Sequence, residues 1–123
     1  MSKVGSRLAR VVSANIGTFS GVLAVETLEE TDWASVTFNG ARHRLRVTLD
    51  GEGAVGAAAD FLERLPDLDL PIPGHIVADI ALVAEERRDG GRYAALELEA
   101  LTIEDSAPSP RRGEGWGEGV RNP

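Results

Sequence analysis

The chain has 123 residues, 13 Lys and Arg against 20 Asp and Glu, and no Cys. That length suits one ordinary domain with a single core, and the missing Cys excludes a disulfide framework, a Cys-bound zinc, an iron–sulfur cluster and a thiol nucleophile. A net charge of −7 argues against nucleic acid and membrane as partners, because both are held through Lys/Arg patches.

The chain opens without the apolar run and small-residue cleavage site of a signal peptide, and no stretch approaches ~18 apolar residues. A cytoplasmic location is therefore expected. Val4, Leu8, Val11, Val12 and Ile16 recur at helical spacing, which predicts an amphipathic helix over 4–14. From Thr18 the period changes to two, and a strand is expected over 18–28, followed by a polar turn at Glu29-Glu30-Thr31-Asp32. Asn39-Gly40 then reads as a type I′ turn joining strands 33–38 and 41–49. This register puts Ala41, His43, Leu45, Val47 and Leu49 on one face. Arg42, Arg44 and Arg46 fall on the other, with Trp33 beside Arg46.

Asp50 precedes a stripe of Ala54, Val55, Ala58, Phe61, Leu62 and Leu65, closed by Pro66, which predicts a helix over 52–65. Pro66 to Gly74 contains three prolines and reads as a rigid connection that carries the chain to a different sheet edge or a second layer. Residues 75–87 and 92–104 form a second hairpin around Asp89-Gly90-Gly91. A three-residue loop pairs Ile80 with Ala100, Leu82 with Leu98 and Ala84 with Leu96. One face then carries Ile76, Ala78, Ile80 and Leu82. The other carries Val77, Val83, Leu101 and Ile103 among Asp79, Glu97 and Glu99.

The expected fold is α+β: an antiparallel sheet of about five strands and two helices in the order α-β-β-β-α-β-β, spanning 1–105. Residues 106–123 are rich in Gly and Pro with few apolar side chains, and are expected to be a disordered tail. The run from Arg111 to Gly119 also resembles translated repeat elements that extend bacterial reading frames, which implies a bacterial source. Charge divides unevenly, with +1 over 1–50, −9 over 51–105 and +1 over 106–123.

Motifs for chemistry are sparse. Gly51 to Gly56 matches G-x-G-x-x-G but follows an antiparallel arm. It therefore reads as a turn into a closely packed helix, not as a dinucleotide site. His43 and His75 lack metal-ligand spacing. Glu97 and Glu99 share a strand face, where paired acids ordinarily serve solubility. No cofactor, metal or catalytic residue is expected, and the balance leans against an enzyme. Two surfaces remain. Arg42, Arg44 and Arg46 with Trp33 and His43 could bind a phosphate or carboxylate. The half-apolar face with Val77, Val83, Leu101 and Ile103 could meet a protein partner or a second copy.

The order of elements and the acidic charge over residues 4–104 resemble those of small secretion-chaperone-type dimers. That resemblance implies a cytosolic, homodimeric binding module.

Overall fold

The structure is a computed structural model that describes residues 2–105. It is α+β: a four-stranded antiparallel sheet with two helices, in the order α-β-β-α-β-β. The elements are α1 (Lys3–Ala14), β1 (Ser20–Ala34), β2 (Asn39–Glu52), α2 (Ala54–Arg64), β3 (His75–Arg88) and β4 (Tyr93–Glu104). The expected tail, 106–123, lies outside the described residues.

Both predicted helices form. Ser2 caps α1, its side chain accepting from the Gly5 amide at 2.9 Å. Leu8 and Val12 are fully buried from α1, as are Ala54, Ala58 and Phe61 from α2. These side chains meet Leu45, Val47 and Leu49 of β2 and Leu96, Leu98 and Ala100 of β4 in one core. α1 lies against β1, and α2 over β2 and β4. Arg64 joins the two helices by donating to the Asn15 carbonyl at 2.7 Å.

The sheet order is β1-β2-β4-β3. β2 and β4 are central and pair along eleven residues, from Gly40↔Ile103 to Asp50↔Tyr93. α2 and the proline-rich connection carry the chain past β4 to the far edge, the first of the two destinations expected of it.

Two expectations about the first half of the sheet are corrected. The first concerns strand number. Residues 20–34 form one strand, so the sheet has four strands, and the order α-β-β-β-α-β-β does not occur. The polar run Glu29–Asp32 stays in the strand because its side chains have cross-strand partners. Glu29 lies opposite Arg44, Glu30 opposite His43 and Thr31 opposite Arg42. A bulge at Leu28 resets the alternation, so Thr27 and Glu30 both face the helices. The element order behind the secretion-chaperone resemblance is therefore absent.

The second correction concerns the first hairpin. Ala34 pairs with Asn39, and the turn is Ser35–Phe38. The Ser35 amide donates to the Phe38 carbonyl at 2.7 Å, and the Ser35 hydroxyl accepts from the Phe38 amide at 3.0 Å. This hydroxyl turn prevails over the Asn-Gly signal. Gly40 instead lies inside β2, where a Cβ would run into the Thr102 carbonyl and approach Trp33 Cζ2 to 2.9 Å.

The second hairpin keeps the expected pairs Ile80↔Ala100 and Leu82↔Leu98. Beyond them a bulge at Val83 sets Ala84 opposite Glu97 instead of Leu96. The loop spans Asp89–Arg92, one residue longer than expected, with Asp89, Gly90 and Gly91 all at positive φ. A further bulge at Ala78 separates Val77 from Asp79.

Candidate functional site

The three expected arginines share the outer face of β2, away from the helices, because strand alternation places them between the buried residues 41, 43, 45, 47 and 49. Reading across the strands, Glu29, Arg44 and Glu99 form one row, and Glu26, Arg46 and Glu97 the next. Arg46 reaches Glu97 at 3.2 Å, and Arg44 reaches Glu99 at 3.5 Å and Glu97 at 3.9 Å. A guanidinium flanked by carboxylates on both neighbouring strands offers little positive potential to an anionic ligand. Arg42 sits one row further on, between Thr31 and Leu101. A small cavity of about 240 Å³ over this area is lined by Glu29 and Glu99 as well as by Arg42 and Arg44.

Trp33 is on the same face but not beside Arg46, which lies opposite Glu26. It lies opposite Gly40 and covers it. The row Trp33, Gly40, Ile103, Ile76 crosses all four strands as an apolar band at one end of the outer face.

His43 faces the other way, into the core, and is fully buried. Its Nε2 lies 2.9 Å from Thr102 Oγ1, and that hydroxyl donates to the Ala41 carbonyl at 3.3 Å. With its single proton used there, Thr102 accepts from His43, which assigns the Nε2–H tautomer and leaves Nδ1 bare. Nδ1 lies 3.6 Å from Glu30 Oε1, and both atoms are buried without a hydrogen-bond partner. Burial pushes the imidazole below its ordinary value and outweighs the upward pull of Glu30 and Asp32; His75 adds to the downward push.

The four expected interface residues divide between faces. Leu101 and Ile103 are half-buried on the outer face. Val77 lies opposite Thr102, whose side chain is in the core, so Val77 faces the helices. Val83 is the bulged residue and is 46% exposed. The bulges at Ala78 and Val83 break the simple alternation on which the grouping depended.

A larger feature was not legible as a site. α1 and α2 cover β1, β2 and β4, while β3 remains largely uncovered on the helix side. A groove of about 710 Å³ follows, its floor formed by Val77, Ile80 and Leu82. Its wall is Leu62, Leu65, Leu68 and Leu70, with Asp69, His75 and Asp79 at the margins. The alternating Leu68, Leu70 and Ile72 between the prolines were the available signal, since a solvated linker has no need of them. Ile76 and Leu82, exposed by 52% and 38%, continue the apolar surface along the edge.

Gly51 and Gly53 do not form a phosphate cradle. Gly51 ends β2 against Gly21, and its amide donates to the Arg92 carbonyl at 2.8 Å. Gly53 caps α2 at φ 87°. His75 Nδ1 lies 3.3 Å from the Pro73 carbonyl. Among the described residues, no three His, Cys, Asp or Glu side chains converge to hold a metal ion, and no helix is long and apolar enough to cross a membrane. No protein-family model matches the chain, and no curated protein matches it.

Proposed function

We propose that this chain is a cytoplasmic, non-enzymatic protein-binding and assembly module that acts as a homodimer. The observation that carries the reading is the uncovered apolar surface of β3, with the groove between it and the segment 62–70. Exposed apolar surface of this kind on a small domain is ordinarily buried against a protein. The charge pattern agrees. Arg44 and Arg46 are neutralised within the sheet, so the outer face favours neither an acidic small molecule nor nucleic acid. Binding of a phosphate or carboxylate at Arg42 is the weaker reading, because Glu29 and Glu99 line the same cavity.

Light scattering coupled to size exclusion tests the proposal. The expected mass at micromolar concentration is twice the chain's 13.1 kDa. A strictly monomeric species at high micromolar concentration overturns the homodimer.

A further inference from the structure

β1 and β3 are the two edges of the sheet, and they differ in chemistry. A free edge invites another strand unless charge or irregularity prevents it. β1 carries Glu26, Glu29, Glu30 and Asp32 along its length, so an added copy of β1 would bring carboxylates together. β3 carries a single charge, Asp79, between Ile76 and Ala84. Resting on the assembly reading above, we propose that the dimer forms through this edge. β3 pairs antiparallel with β3 of a second copy, with Ile80 opposite Ile80 on the two-fold axis.

Symmetry and charge select that register. A two-fold axis through an antiparallel pair requires reciprocal contacts, and strand alternation then allows only registers in which one residue meets itself. Centring on Ile80 places His75 opposite Glu85, and both face the helix side. It places Ile76 opposite Ala84 and Asp79 opposite Ala81, all on the outer side. The neighbouring registers are worse. Centring on Asp79 sets two carboxylates face to face. Centring on Ala81 sets Val77 opposite Glu85 and Ile76 opposite Glu86. Centring on Leu82 sets Val77 opposite Arg87 and Ile76 opposite Arg88.

The bulges favour a second copy over another extended segment. β3 carries one extra residue on each side of Ile80, at Ala78 and at Val83. Such irregularities spoil an edge for a regular strand. A second copy brings the same irregularities at nearly mirrored positions. Beyond Glu85, the charges of Glu86, Arg87 and Arg88 end the apolar run and limit pairing to its length. The grooves of the two copies then lie on the same side of a continuous eight-stranded sheet, with Ile80 and Leu82 of both copies at the join.

The absence of Cys makes the test direct. Residues facing each other across antiparallel strands have Cα atoms about 4.5–5.5 Å apart, within disulfide range. Under mild oxidation, full-length Ile80→Cys is expected to form a covalent dimer about tenfold or more faster than Val22→Cys on the β1 edge, because pairing raises the local thiol concentration. The exposed substitution Ala78→Lys is expected to return the mass to that of one chain. Failure of Ile80→Cys to outpace Val22→Cys, or a dimer retained in Ala78→Lys, overturns pairing through β3 and leaves the assembly reading standing. A monomeric wild-type chain overturns both.

Discussion

Among the described residues, His43 is the one fully buried side chain that titrates, and burial pushes it below the ordinary imidazole value. Neutral, it satisfies Thr102 through Nε2–H and turns a bare Nδ1 toward Glu30. Protonated, it would gain Glu30 as a partner but lose its hydration, and burial prevails. The sign of the pH effect follows. The folded-state value is depressed below 6.5, so on acidification the unfolded chain takes up a proton before the folded chain does. His43 therefore costs no stability above its unfolded value. It withdraws stability as the pH falls below that value, until the folded-state value is passed. A series of thermal melts between about pH 7.5 and 5.5 is expected to show a falling Tm. His43→Gln, which keeps a donor for Thr102 without titrating, should flatten the profile. Glu30→Gln should steepen it, because the carboxylate's upward pull is lost. An unchanged profile in His43→Gln would mean that other groups control the dependence.

At the scale of the element, α2 is held to the sheet by Ala54, Ala58 and Phe61, all fully buried. Phe61 is its largest fully buried side chain, set in a core shared with β2 and β4. Removing its ring leaves a cavity that rigid strands cannot fill, so Phe61→Ala should cost about 3–5 kcal/mol in urea unfolding. Phe38→Ala, at the half-exposed β1–β2 turn, should change stability by about 0.5 kcal/mol. Equal costs would mean that the turn ring packs as part of the core. Sequence periodicity was enough to find both helices because each buries an uninterrupted stripe. The central strand β2 was legible because its burial alternates without a break from Ala41 to Leu49. The edges were not legible in the same way. A bulge adds a residue without any fixed residue type to announce it, and each one inverts the face of everything beyond it. Leu28 hid the continuity of β1, and Ala78 moved Val77 from the outer face to the helix face. The Arg stripe was visible, but the carboxylates beside it were not. Glu97 and Glu99 come from β4, more than fifty residues away, and Glu26 and Glu29 from a strand expected to end at residue 28. The partners of His43 were hidden for the same reason.

At the scale of the whole molecule, protection is graded across the sheet. β2 and β4 are bonded on both sides and covered by α2, so their amides exchange only through extensive opening. β1 is an edge, but α1 lies against it. β3 is bonded on one side only and is largely uncovered, so an isolated copy leaves alternate β3 amides open to solvent. Pairing of β3 with a second copy changes this element more than the other edge. Hydrogen exchange at two protein concentrations, one below and one above the dimer's dissociation constant, separates the two states. The amides of 76–84 are expected to slow markedly at the higher concentration, while those of β1 keep the same rates. The slow amides of β2 and β4 shift only through the added global stability of the dimer. Slowing confined to β1 would place the interface on the acidic edge instead, where Glu26, Glu29 and Glu30 make pairing costly and dependent on salt. The uneven charge of the chain gives the same measurement a second axis. An interface built on the apolar run of β3 should be nearly insensitive to ionic strength, so the concentration dependence at 76–84 should persist in high salt.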